Sequence, residues 1–100
     1  MALKVLIVDD HPLFREGLKS ILNSFMDVEI VGEAVNGKEA IDYAHSMNPD
    51  IIFMDITMPE LNGIEATKEI MKKMPDMNII GLSMHSGSRF VARHKKMRIV

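Results

Sequence analysis

Three aspartates stand at the ends of two short apolar runs. Val5-Leu6-Ile7-Val8 leads into Asp9-Asp10, and Ile51-Ile52-Phe53-Met54 leads into Asp55. An apolar run that stops abruptly at carboxylate reads as a buried strand delivering its acid to the edge of a sheet. Two such strands side by side bring Asp9, Asp10 and Asp55 together. Converging carboxylates repel each other, so a cation or a proton must compensate. The trio is therefore a candidate for a metal site or for phosphoryl chemistry.

The elements that must position these acids alternate along the chain. Leu3 to Val8 reads as a first strand. Pro12 is tolerated in a first helical turn, and Phe14, Leu18, Ile21, Leu22 and Phe25 then recur at helical spacing. Val28 to Val35 reads as a strand, with Val28, Ile30, Gly32 and Ala34 set against Glu29, Val31 and Glu33. Asn36 can cap a second helix carrying Ala40, Ile41 and Ala44, which Asn48-Pro49 ends. Ile51 to Met54 is the next strand, and Met58-Pro59 and Asn62-Gly63 punctuate a loop. Ile64, Thr67, Ile70, Met71 and Met74 form the apolar face of a third helix, stopped by Pro75. Asn78 to Met84 is a fourth strand. No repeat, low-complexity segment or linker interrupts this order.

Strands alternating with helices of about ten residues predict βαβ units and a parallel sheet. Right-handed crossovers put the C-terminal ends of all strands on one edge, where open α/β sheets bind ligands. Asp9, Asp10, Asp55 and Ser83 all fall at that edge. Three carboxylates and a hydroxyl would share one crevice.

Composition narrows the class. The chain has 100 residues, 47% of them hydrophobic, which suits one small domain with a modest core. It contains no Cys, which excludes disulfides and thiolate metal ligands. The apolar run after the N-terminus is too short for a signal sequence, and no run approaches a membrane span. A cytoplasmic protein with no membrane partner is expected. The formal charge of −2 hides an asymmetry: residues 1 to 76 hold 7 Lys/Arg against 14 Asp/Glu. Residues 77 to 100 hold Arg89, Arg93, Lys95, Lys96 and Arg98 and no acid. A solvated helix face or frayed end is the plainer reading of that tail, since no aromatic interleaving or helix-turn-helix pattern points to nucleic acid.

Other residues have plain structural readings. His11, His45, His85 and His94 show no metal spacing and read as exposed or capping residues. The ten Met read as core filler. Lys72-Lys73 reads as a solvated helix end, favourable near the C-terminal dipole.

The blocks VLIVDDHPLFREGLKSIL, IIFMDITMPELNGIEATKEI and IIGLSMH together resemble the receiver domain of bacterial two-component response regulators. The His11-Pro12 after the acid pair most resembles regulators with a LuxR-type helix-turn-helix output domain. The resemblance covers roughly residues 3 to 91. It implies a flavodoxin-like sheet of order 2-1-3-4-5. It implies that Asp55 accepts a phosphoryl group from a sensor histidine kinase. Asp9 and Asp10 would hold Mg²⁺, Asp10 directly and Asp9 mostly through water, with the backbone carbonyl of Thr57 and Asp55 itself as further ligands. Ser83 would hydrogen-bond the phosphoryl group, and Pro59 and Gly63 would shape the loop after the acceptor. The chain would be no enzyme in the ordinary sense, although a receiver assists its own phosphorylation and dephosphorylation.

The chemistry requires these residue types. A carboxylate attacks phosphorus only where negative charge is screened. Mg²⁺ takes oxygen ligands in octahedral geometry and typically uses one or two carboxylates. Such transfer rests on positioning and electrostatics, and a hydroxyl adds a donor.

The chain also departs from the family pattern. Residues 1–100 read as a truncated receiver domain and residues 88–100 as a basic tail unlike the usual fourth helix. The fifth strand, ending in a Lys, and the fifth helix are expected to be absent or replaced, with Met97 to Val100 offering a short substitute strand. Neither Lys95 nor Lys96 ends an apolar strand, so neither takes the family lysine's role. An open fourth strand would then favour a homodimer or larger assembly. Signalling is expected to be impaired, and DNA would be reached only through an output domain outside this chain. A non-signalling fragment that self-associates through its open edge is the alternative. An aspartate-nucleophile phosphatase is a weaker one, because Asp55-Ile56-Thr57 lacks a second acid two residues on.

Overall fold

Residues 2–25, 27–56, 63–82 and 97–99 are described by a computed structural model. In chain order they form β1 (Leu3–Val8), α1 (Pro12–Phe25), β2 (Val28–Ala34), α2 (Gly37–Met47), β3 (Ile51–Asp55), α3 (Gly63–Lys73), β4 (Asn78–Leu82) and β5 (Met97–Ile99). The sheet is parallel throughout, in the order β2-β1-β3-β4-β5. The expected flavodoxin-like arrangement of the first four strands is therefore present.

The helices divide between the two faces. Leu6, Val8, Ile52 and Met54 pack with Ala40 and Ala44 of α2 and with Ala66, Ile70 and Met71 of α3. Val5 and Ile7 point the other way, onto Leu22 and Leu18 of α1. Alternate residues of β1 are buried on both sides, as a central parallel strand requires. Of the apolar positions expected on α1, Leu22 is buried but Ile21 is 54% exposed. Among the described residues α1 covers its face alone, so the stripe is wider than the surface that receives it.

Local signals act where the sequence places them. The Asn36 side chain accepts a hydrogen bond from Glu39 N–H at 2.8 Å, and the Glu39 carboxylate reaches back to Val35 N–H at 3.0 Å. Asn48 ends α2 in the left-handed region, at φ 45°, a conformation Asn tolerates better than most residues. Thr67 is buried on α3 because its hydroxyl donates to the Gly63 carbonyl at 2.7 Å.

Two expectations need correction. The simple alternation along β2 fails, because the register slips between Val5 and Leu6: Val5 pairs with Ile30, but Leu6 pairs with Gly32. Val31 is thus the extra residue of a bulge, which moves later side chains to the opposite face. Val28 and Ile30 pack on the α1 side, whereas Ala34 joins the α2 side. The second correction concerns the edge. β4 is not left open, since Met97, Arg98 and Ile99 pair with Ile79, Ile80 and Gly81. The short substitute strand forms and occupies the edge through which self-association was expected.

Candidate functional site

Strand register brings the acids together. Val8 stands opposite Met54, so Asp9 and Asp55, the next residues, leave neighbouring strands at the same level. Asp9 is fixed by its own backbone: its N–H donates to Ala34 O at 3.0 Å, and its carbonyl accepts from Arg15 Nη1 at 2.6 Å. Asp9 and Asp55 are fully buried, while the Asp10 side chain is 30% exposed. One ligand atom from each of Asp9, Asp10, His11 and Asp55 lies within 4.8 Å of all the others.

His11, expected to be an exposed or capping residue, is exposed, and its ring lies against the acid pair. Its backbone N–H donates to Asp9 Oδ1 at 2.7 Å, and its Nδ1 lies 2.9 Å from the same oxygen. Nδ1 is also 3.0 Å from Asp10 Oδ1 and 4.0 Å from Asp55 Oδ2. A backbone turn of two residues therefore folds the imidazole onto the acid pair. Its position directly after Asp9-Asp10 is what brings the ring there.

Arg15 is a residue that the sequence reading passed over. Besides holding the Asp9 carbonyl, its Nε donates to Glu33 at 3.0 Å. Lys19 Nζ donates to the other Glu33 oxygen at 2.9 Å and also pairs with Glu16. The bulge at Val31 is what turns Glu33 toward α1. Arg15 lies four residues after His11, one helical turn into α1, which was the available clue.

The electrostatics follow from burial and proximity. Desolvation pushes the Asp9 carboxyl above its ordinary range, and the Asp55 charge adds to this, while hydrogen bonds from His11 oppose it. The His11 imidazole is pushed up chiefly by its hydrogen bond to Asp9, then by the Asp10 charge. Asp9 Oδ2 is buried with no hydrogen-bond partner among the described residues. Buried carboxylate oxygens call for a cation, so the donor set fits a divalent ion.

The remaining expected site residues are only partly visible. Thr57, Pro59 and Ser83 lie outside the described residues. β4 carries the pairing to Leu82, opposite Asp55, and Ser83 is the next residue in the chain. Gly63 starts α3 against the end of β3: a Cβ there would meet the Asp55 carbonyl oxygen and stand 2.6 Å from Ile56 Cα. A depression lined by Asn48, Pro49, Met74 and Pro75 lies at the other end of the strands, away from the acids.

Comparison with known proteins agrees with this architecture. The family described as the response regulator receiver domain matches residues 5–100. The response regulator protein VraR of Staphylococcus epidermidis is 47% identical over 83 residues, which is 83% of this chain but 40% of that protein. The chain thus spans about two fifths of the curated relatives it matches. A LuxR-family response regulator from Aurantimonas is 34% identical with a TM-score of 0.81, over 87% of this chain and 62% of that one. CheX–CheY–BeF₃–Mg²⁺ of Borrelia burgdorferi offers a match of 30% identity and TM-score 0.82, over 98% of this chain and 78% of that one.

Proposed function

Since this chain belongs to the response regulator receiver domain family, we propose that it is a phospho-acceptor signalling domain with Asp55 as the acceptor. The observation that carries the reading is the convergence of Asp9, Asp10 and Asp55 at one edge of the sheet, with ligand atoms within 4.8 Å. The donor would be a phosphohistidine on a sensor histidine kinase, as membership of the family implies. A carboxylate oxygen of Asp55 would attack phosphorus, the P–N bond would break, and the imidazole would leave with its electron pair.

Asp9, Asp10, Asp55 and the Thr57 carbonyl are the proposed holders of Mg²⁺. The ion would supply positive charge to screen the carboxylates and the incoming phosphoryl oxygens. The protein's own contribution is positioning. β1 and β3 hold the acids in register, Arg15 fixes the Asp9 carbonyl, and Gly63 lets α3 close against the backbone of Asp55. Ser83, following β4, would donate to a phosphoryl oxygen. The likeness to the CheX–CheY–BeF₃–Mg²⁺ complex of Borrelia burgdorferi supports this reading.

Mg²⁺-dependent incorporation of beryllofluoride, a phosphoryl mimic, tests it. The intact chain should incorporate the mimic, and Asp55→Asn should abolish incorporation while leaving the fold unchanged by circular dichroism. Incorporation that survives Asp55→Asn would place the acceptor elsewhere. Labelling from a small phosphodonor should be slow, because Lys95 and Lys96 precede β5 in the chain. A parallel strand delivers its last residues to the site edge, so neither lysine follows the strand as the family cation does. Residues 88–100 are proposed as a variant tail of a receiver domain spanning 1–100, in a cytoplasmic regulator. Assembly into a dimer or larger species, by edge pairing or element exchange, would find β2 and β5 as the outer strands of the sheet, and sedimentation measures the oligomeric state.

A further inference from the structure

Asp9 spends one carboxylate oxygen on His11 and keeps the other open. Its Oδ1 accepts the His11 backbone N–H at 2.7 Å and lies 2.9 Å from the ring Nδ1. An ionised carboxylate only accepts, so Nδ1 is the donor, and a neutral ring can supply that proton as well as a charged one. Asp9 Oδ2, the other oxygen of the same group, is buried with no hydrogen-bond partner among the described residues. The same Nδ1 lies 3.0 Å from Asp10 Oδ1, which is also buried and makes no hydrogen bond among the described residues. The Asp9 main chain is already fixed, by Ala34 O on its N–H and by Arg15 on its carbonyl. What remains free to turn is the carboxylate, and His11 is what stops it. Neighbouring carboxylates repel each other, and Asp10, at 30% exposed, has a route out to solvent. The His11 ring closes that route by standing between the two acids.

Resting on the acid-site reading above, we propose that His11 is a positioning residue of that site. Its Nδ1–H takes Asp9 Oδ1 so that Oδ2 faces the Mg²⁺ ion or its water, and it keeps Asp10 beside Asp9. The ring itself coordinates nothing, because its Nδ1 is spent on the carboxylate. Partners that hydrogen-bond a metal's ligands fix the orientation of those ligands, and losing one typically costs about 10–100-fold in metal affinity. The backbone N–H of His11 stays on Oδ1 whatever the side chain is, so the loss belongs at the lower end. The side chain of His11 is 57% exposed, so replacing it leaves the core untouched.

The test is titration of the whole chain with Mg²⁺ at constant pH, followed by proton–nitrogen NMR, with the fold of each variant checked by circular dichroism. His11→Ala should weaken Mg²⁺ binding by about tenfold. His11→Asn should recover most of that loss, because its amide places an N–H where Nδ1 stands. A ring that served only as packing would not be replaced by an amide. His45→Ala, on α2, should bind as the intact chain does. The inference is overturned, and the acid site stands, if His11→Ala binds Mg²⁺ as well as or better than the intact chain. It is overturned in the same way if His11→Asn is as weak as His11→Ala. If the intact chain binds no Mg²⁺, the acid-site reading falls and this inference falls with it.

Discussion

His11 and Arg15 grip Asp9 from different sides. The imidazole and the His11 N–H take one carboxylate oxygen, and the guanidinium takes the main-chain carbonyl. With its own N–H bound to Ala34, Asp9 has little freedom left, which suits a residue that must present an oxygen at a fixed place. Arg15 in turn leans on Glu33, and Glu33 carries a testable pH signature. Its carboxyl is held below the ordinary range by Lys19 first and by Arg15 as well, against the opposing effect of burial. A group with a lowered folded-state pKa stabilises fully above its unfolded value and loses that contribution as pH falls through its folded value. Glu33→Gln should therefore lower the urea midpoint between pH 5 and 7. The gap to the original chain should close as pH falls below 4.5, the unperturbed value. A gap that stays constant with pH would show that the ion pairs contribute nothing.

Each element does one positioning task, and two depend on a single backbone feature. In β2 the bulge at Val31 changes which face later residues occupy. Val28 and Ile30 meet α1, and after one inserted residue Glu33 meets it too, while Ala34 turns to α2. Without the insertion Glu33 would point at the apolar cluster under α2, where an unpaired charge is costly. In α3 the first residue must be small. The clash that a Cβ at Gly63 would make is with backbone at Asp55 and Ile56, and backbone cannot rotate aside as a side chain can. Gly63→Ala should destabilise the chain by about 1–3 kcal/mol in urea denaturation. It should also weaken beryllofluoride loading more than that loss of stability explains, because the displaced segment carries Asp55. Gly32 is a contrast: a Cβ there would meet chiefly the flexible end of Met47, and Ala should be accepted.

At the scale of the molecule, the described residues fill one face of the sheet with two helices and the other with one. α2 and α3 pack together over Leu6, Val8, Ile52 and Met54, whereas α1 covers Val5 and Ile7 alone among the described residues. The three-residue β5 is the only described element guarding the β4 edge. Unpaired strand edges template association with other chains. Removing residues 97–100 should therefore shift the chain toward larger species in sedimentation velocity at the same concentration. An unchanged distribution would mean that β5 does not control assembly.

Much of this was legible in local patterns, because the signals are local. Apolar runs ending in acid marked β1 and β3, Asn36 marked the start of α2, and Pro75 marked the limit of α3. The convergence of Asp9, Asp10 and Asp55 also followed from sequence, since a parallel sheet puts strand ends on one edge. Local patterns failed where a partner elsewhere decides the outcome. The bulge at Val31 is invisible in β2 alone, because it exists only relative to the register of β1. Ile21 has the spacing of a core residue, but exposure depends on what covers α1. His11 is exposed, as expected; only the turn that folds its ring onto Asp9 brings it to the acids. Residue type and order determined by themselves which acids meet. The tertiary structure decided which neighbours hold them, because register, bulges and edge pairing are properties of two strands at once.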